Sequence, residues 1–271
     1  MTATRTLNNL VQMPLLGIGV RRIPPREATR LTVRWALAAG YRRIDVAYSY
    51  GNERDVGEVL GKSGLPRSEL FVVNKLWNAD HGYDSALHAF DHSLNEMKLD
   101  YFDLYLIQWP MPGRRDESWR ALQRILADGR VRAIGVCNYT VRHLEQLLNW
   151  ADVVPAVNQV EFSPFLYQRD LLHYCEDHGI QLDASTPLTR KKRLDDPRLL
   201  TLAGRTGHTP AELLLRWAIQ HGLVTSFTSI HQGHIRRNMR VFDFELRADD
   251  MAELDAFDEG YRVEPDPNLV E

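Results

Sequence analysis

Asp45, Lys75, Gln108, Asn138, Gln159 and Ser185 each end, or directly follow, a short aliphatic or β-branched run. If those runs are parallel strands of one sheet, the six polar side chains gather over the same end of it, with Tyr50 in the loop after the second run. A tyrosine hydroxyl serves as a general acid near neutral pH only if its pKa, about 10 when unperturbed, is lowered by a cation or a hydrogen bond. Lys75 can supply that charge. Asp45 can pair with Lys75 and keep the ammonium charged and oriented in a partly desolvated cavity. Taken alone, Asp45 and Lys75 read better as a structural ion pair and Asn138 and Gln159 as ordinary buried amides, and Gln108 fits a packed polar residue equally well.

The elements that must position these residues alternate along the chain. Strand-like runs lie at 15–19, 42–45, 70–75, 102–108, 133–137, 156–161, 181–184 and 224–229. Amphipathic, helix-like stretches lie at 26–39, 53–61, 84–97, 117–128, 141–150, 169–178, 211–221 and 248–257, so that each strand is followed by its helix. Eight such units predict an α/β protein with a parallel eight-stranded sheet closed as a (β/α)8 TIM barrel, one domain over 1–271 without a linker. Local signals agree: Thr209-Pro210-Ala211-Glu212 reads as a helix N-cap with proline at the first helical position, and Ala38-Ala39-Gly40 as a helix stop. A doubly wound open sheet is the rival. Against it, Gly17-Ile18-Gly19 runs into Val20-Arg21-Arg22 and not into a helix carrying a third glycine.

Composition narrows the partners. At 271 residues, 44% hydrophobic and 25% charged, the chain can bury a full core, which excludes disordered and fibrous classes. A formal charge of -3 provides no basic field for nucleic acid, so a small molecule is the expected partner. No run reaches the ~18 apolar residues of a membrane span and no basic-then-apolar leader opens the chain, so a cytoplasmic protein without membrane partners is expected. Cys137 and Cys175 are too few for a disulfide framework, and no Cys/His spacing fits a metal, so two buried thiols and no metal site are expected.

One run carries a strong resemblance. Gly40-Tyr41-Arg42-Arg43-Ile44-Asp45-Val46-Ala47-Tyr48-Ser49-Tyr50-Gly51-Asn52-Glu53, with Val56-Gly57 after it, closely resembles the first signature of the aldo-keto reductases. Lys75-Leu76-Trp77, Asp103-Leu104-Tyr105-Leu106-Ile107-Gln108-Trp109-Pro110, Ile134-Gly135-Val136-Cys137-Asn138-Tyr139 and Val157-Asn158-Gln159-Val160-Glu161 resemble later segments of the family, in family order over roughly 13–257. MPLLGIGV, VVPAVNQVE and VFDFEL look most like the bacterial 2,5-diketo-gluconate reductases. The resemblance implies an oxidoreductase that uses NADPH, or NADH, to reduce a carbonyl. Tyr50 would be the proton donor, its pKa lowered by Lys75 and Asp45, while Asn138 and Gln159 hold the nicotinamide carboxamide. Ser185 and Leu188 would lie beside the coenzyme, and Thr228, Ser229, His234 and Asn238 at its phosphate. Trp77, Trp109 and Tyr48 would wall the substrate, and the family habit is a monomer.

Several positions depart from the family pattern. Gln108 stands where the family carries histidine, so the carbonyl oxygen meets a neutral donor. Ser185 replaces an aromatic that stacks on the nicotinamide ring. Thr228 and His234 replace the lysine and arginine that grip the 2′-phosphate. Arg190-Lys191-Lys192-Arg193 could compensate, although such a run is more often a solvated face. Arg21, at a rim position usually aromatic, points to an anionic group on a small polar substrate. Because these changes fall together on coenzyme and oxyanion roles, a redox-neutral isomerase, dehydratase or cyclase using Tyr50, Lys75 and Asp45 is the alternative. A non-catalytic binding barrel fits the intact relay less well.

Overall fold

The computed structural model describes residues 3–270. Eight parallel strands, β3 (Leu16–Gly19), β4 (Arg43–Asp45), β5 (Phe71–Leu76), β6 (Phe102–Ile107), β7 (Val131–Cys137), β8 (Val157–Glu161), β9 (Gln181–Ser185) and β10 (Val224–Phe227), pair in chain order, and β10 returns to β3 to close the barrel. Ahead of them, β1 (Thr4–Thr6) and β2 (Gln12–Pro14) form an antiparallel hairpin. Every residue of β5 and β6 is buried because the helices cover one face and the barrel interior the other, which is why these strands read as mainly apolar runs without alternation.

Two apolar layers result. Inside, Phe71, Val73, Leu104, Leu106, Ala133 and Val157 pack together, and the hairpin closes the floor with Leu7 and Met13. Outside, the strands' other faces meet α1 (Glu27–Ala38), α2 (Glu53–Gly61), α3 (Tyr83–Met97), α4 (Arg115–Ala127), α5 (Val141–Leu148) and α6 (Arg169–Asp177), followed by α7 (Pro197–Thr206), α8 (Pro210–Gln220), α9 (Gln232–Asn238) and α10 (Ala248–Asp255). The predicted Thr209 cap forms: the Glu212 N–H donates to Thr209 Oγ1 at 3.3 Å, and the Thr209 N–H to Glu212 Oε2 at 2.8 Å. Both cysteines are free and buried.

The rule of one helix per strand fails in the last third. Two helices, α7 and α8, separate β9 from β10, and two more follow β10. Helix α7 carried a readable start, since Asp196 caps the Arg198 N–H at 3.0 Å with Pro197 at the first helical position. Helix α9 carried none: it buries only Ile235 and Asn238, leaving no apolar stripe to read. The eighth strand ends at Phe227, so Thr228 and Ser229 belong to the loop beyond it.

Gly57 marks the tightest helix contact. A Cβ there would lie 2.2 Å from the Met97 carbonyl oxygen and 2.6 Å from its Cα, both backbone atoms that cannot rotate away. Gly57→Ala should therefore lower stability by about 1–3 kcal/mol through overpacking, despite the ~1 kcal/mol gain in helix propensity. Thermal unfolding followed by circular dichroism should show a Tm several degrees below that of the parent; an unchanged or higher Tm would mean that α2 and α3 separate freely.

Candidate active site

Period-two alternation along the strands builds the site. On β5, β6 and β8 the inward apolar residues Val73, Leu106 and Val157 are followed two positions later by Lys75, Gln108 and Gln159, so that polar heads surmount the interior layer at the C-terminal ends of the strands. Lys75 is 1% exposed and forms an ion pair with Asp45, and its Nζ also donates to the Val46 carbonyl at 3.1 Å. Burial alone would pull the ammonium down, but the Asp45 carboxylate raises it above the ordinary lysine range. Lys75 is thus a fixed positive charge.

Tyr50 ends a single helical turn, Tyr48–Tyr50, closed by Gly51 at φ 67°, a left-handed conformation in which glycine is free of Cβ strain. Its ring centroid lies 5.5 Å from Lys75 Nζ. The sequence reading has Lys75 and Asp45 lowering the Tyr50 pKa, and the net direction is the opposite. Burial pushes the phenol up by more than Lys75 and Arg21 pull it down, and Asp45 and Cys137 push the same way as burial. Tyr50 is therefore a protonated hydroxyl at neutral pH, beside a cation that favours the phenolate once its proton leaves.

Three amides surround this pair in fixed orientations. Gln159 Nε2 donates to Asp45 Oδ2 at 2.7 Å and to Asp183 Oδ2 at 2.8 Å. Asn138 Nδ2 donates to the Gln108 carbonyl at 2.9 Å from a residue held at φ 62°. Gln108 Oε1 accepts from Ser49 Oγ at 3.0 Å. Gln159 and Asn138 thus have their nitrogens engaged; the Asn138 oxygen is left as an acceptor, and the Gln159 oxygen receives only a 3.9 Å contact from Cys137 Sγ and keeps a second lone pair, whereas Gln108 has its oxygen engaged and Nε2 left as a donor.

These residues open into a cavity of about 610 Å³. Asp45, Tyr50, Lys75, Gln108, Asn138, Gln159, Ser185, Leu188, Thr228, Ser229, His234, Asn238, Arg21 and Trp109 all line it, and Tyr48 and Trp77 do not. Tyr48 lies outside because its ring turns away to meet His92 edge-on, with centroids 5.7 Å apart. Arg21 is already answered: its guanidinium reaches Glu264 in two contacts, 2.6 and 3.1 Å, and Arg190 pairs with the same carboxylate. The basic run divides accordingly. Arg190 and Arg193 are held by Glu264 and Glu259, Lys192 is exposed off the cavity, and Lys191 lines it.

The structure adds residues that the sequence did not single out. Glu264 brings the C-terminal segment over the mouth, where the Val263 and Glu264 N–H groups donate to the Glu161 carboxylate at 2.8 and 2.9 Å. Arg237 joins Lys191 and His234 at the far end of the cavity, and among the described residues neither Arg237 nor Lys191 has an ion-pair partner within 4 Å. Neither was legible, because α9 carries no periodic pattern and Glu264 follows the last predicted helix. Left-handed backbone clusters here too, at Thr186, Thr189, Arg190 and Lys191, and strain of this kind in β-branched residues gathers at ligand clamps.

Comparison with known proteins agrees with this geometry. A model of the aldo/keto reductase family matches residues 15–259. The chain is 44% identical to glyoxal reductase of Bacillus subtilis over 98% of its length and 96% of that protein's. It is 43% identical to morphine 6-dehydrogenase of Pseudomonas putida, covering 98% and 94% of the two chains. The crystal structure of MGS-M4, an aldo-keto reductase from a Medee basin deep-sea metagenome library, superposes with a TM-score of 0.95 at 37% identity, over 99% of this chain and 100% of that one.

The relay itself can be tested without substrate. Because Lys75 lowers the Tyr50 pKa against the effect of burial, Lys75→Met should move that ionisation upward by about one unit or more. Tyrosinate absorbance, taken as the difference from a matched Tyr50→Phe protein, would report it; an unmoved titration would show that the Lys75 field does not reach the phenol.

Proposed function

We propose that this chain, which belongs to the aldo/keto reductase family, is an NAD(P)H-dependent carbonyl reductase of small polar substrates with Tyr50 as its proton donor. The observation that carries the reading is the protonated Tyr50 hydroxyl beside a permanently charged Lys75, both facing one cavity with the Gln108 donor.

The residues present fit a nicotinamide coenzyme. The Asn138 oxygen, and the lone pair of the Gln159 oxygen not met by the Cys137 thiol, suit the N–H groups of a carboxamide, and Lys191 and Arg237 offer unpaired charge for its phosphates. When bound, the coenzyme supplies the hydride that reduces the carbonyl carbon.

The chain's own side chains do the rest. Tyr50 Oη passes its proton to the carbonyl oxygen, and Lys75, held charged by Asp45, stabilises the phenolate that remains. Gln108 Nε2 donates a hydrogen bond to the same oxygen as negative charge develops on it, from an orientation fixed by Ser49. Trp109 and Ile23 in the cavity wall limit water around these groups. Dicarbonyls of the glyoxal kind are the first substrates to try, given the likeness to glyoxal reductase. A substrate carboxylate would compete with Glu264 for Arg21.

Titrating the protein with NADPH and with NADH, read by quenching of Trp109 fluorescence, should give micromolar binding of at least one. Tyr50→Phe should retain that binding while losing roughly 100-fold or more in turnover of glyoxal. Absence of binding at millimolar coenzyme would move the reading to a redox-neutral reaction on the same relay, and undiminished turnover in the variant would remove Tyr50 as donor. Thr228→Lys combined with His234→Arg should tighten NADPH roughly 10-fold or more while leaving NADH near its parent value; equal gains for both would show that these positions do not face the 2′-phosphate.

A further inference from the structure

Below the relay lies a second charged layer that the proposed chemistry does not use. Arg43 stands two residues before Asp45 on β4 and so projects to the same, inward side of the strand. It is fully buried, as is Asp183 on β9, and the two form an ion pair. The Asp183 oxygen that receives Arg43 also accepts from Gln159 Nε2, which donates in turn to Asp45. A continuous chain Arg43–Asp183–Gln159–Asp45–Lys75 therefore crosses the barrel interior. Neighbouring sequence makes room for it: Gly17 is the register partner of Arg43, and a Cβ there would lie 2.9 Å from Arg43 Cγ and 3.0 Å from Cδ.

This layer is expensive. Arg43 Nε and Nη1 and Asp183 Oδ1 are buried with no hydrogen-bond partner among the described residues, and an apolar pair of similar volume, like the Val73 and Leu104 layer, would avoid that desolvation cost. What the ion pair provides and an apolar pair could not is a second carboxylate acceptor for Gln159, together with a charge that balances it.

We propose that Asp183 and Arg43 are positioning residues: Asp183 locks the Gln159 amide with its nitrogen inward and its oxygen toward the cavity, and Arg43 cancels the charge of that lock so that the field at Tyr50 is set by Lys75 and Asp45. The catalytic meaning of this pair rests on the reductase reading above, but its electrostatics do not. The charged or titratable groups around Tyr50 are Lys75 on β5, Asp45 on β4, Arg21 beyond β3 and Cys137 at the end of β7, with Arg21 already matched by Glu264. Arg43 and Asp183 together add no net charge to that set.

The test compares the parent with Asp183→Leu, which removes both the acceptor and the charge, and with the double variant Arg43→Met/Asp183→Leu. In Asp183→Leu an arginine that cannot deprotonate is left unmatched. Tyr50, followed by the 13Cζ resonance of labelled tyrosine, should then ionise at a pH lower by about half a unit or more. NADPH and NADH should both bind about 10-fold more weakly, and equally so, because the carboxamide they share has lost a fixed acceptor. The double variant removes both charges and should return the Tyr50 titration to its parent position while coenzyme binding stays weak. That separation of charge from orientation is a result that a merely structural pair would not give. Parent-like titration and parent-like binding in both variants, with only Tm changed, would overturn the proposal. If Asp183→Leu does not fold, the uncharged double variant still decides the lock through its coenzyme affinity. If the parent itself binds no coenzyme, the reductase reading fails, and the tyrosine titration still decides the charge balance.

Discussion

A lysine ammonium stays charged inside an apolar barrel only if a carboxylate stands against it, and the Lys75–Asp45 pair is the contact on which the site depends. Its geometry is set by strand register. Asp45 is level with Val73 on the neighbouring strand, so Lys75, two residues further on, projects to the same interior face one step nearer the mouth. A register slip of one residue would turn Lys75 toward the helices. Closure of the sheet, the helices that bury its outer face and the hairpin that closes its floor all serve to hold these two side chains within contact and away from water. Tyr50 then needs only to be brought beside a charge that already exists, which the short turn ending at Gly51 does.

The barrel is regular in its strands and strained in the loop at the cavity mouth. Its strands and the first six helices use ordinary backbone, whereas four non-glycine positions, Thr186, Thr189, Arg190 and Lys191, adopt left-handed conformations in the loop after β9. Such conformations persist only when surrounding contacts over-determine them. Those contacts are visible: Glu264 receives Arg190 and Arg21, Thr186 Oγ1 donates to it at 3.4 Å, and Glu161 fixes the backbone that carries it. The loop is thus tied across the cavity mouth by a carboxylate from the far end of the chain, and access to the relay depends on residues nearly eighty positions apart.

Much of this was legible because repeated physical constraints write repeated patterns. Parallel strands buried on both faces must be largely apolar, so all eight barrel strands could be placed to within two residues, and the polar residues that end them announced the site. Helices with an apolar stripe were equally plain. Legibility failed wherever a residue's role comes from distant partners. Glu264 was an unremarked acid in the tail, Arg237 one arginine among several on a helix without a stripe, and Ser49 a loop serine, and each gains meaning only from what the fold brings to it. Tyr48 failed in the other direction: the resemblance placed it on the substrate wall, but an exposed ring beside His92 found a better contact outside the cavity. The direction of the Tyr50 shift failed for a related reason, since a sequence shows which charge is near but not how much water is excluded.

The replacement at Gln108 is best understood with the charges around it. A histidine there could carry a proton and add a cation to a cavity that already contains Lys75, Arg21, Arg22, Arg190, Lys191 and Arg237 against Asp45 and Glu264. Glutamine holds the charge constant across pH and keeps a single polarity toward the cavity, because Ser49 occupies its oxygen. The same device recurs at Gln159, whose nitrogen is committed to two carboxylates, and at Asn138, whose nitrogen is committed to a backbone carbonyl. Three neutral amides, each with one end tied, give the cavity a fixed arrangement of one donor and two acceptors that does not titrate. Electrostatic catalysis gains from dipoles that need no reorganisation when charge develops. A neutral donor stabilises an oxyanion less than a cation would, so this site relies on orientation where a protonated histidine would rely on charge.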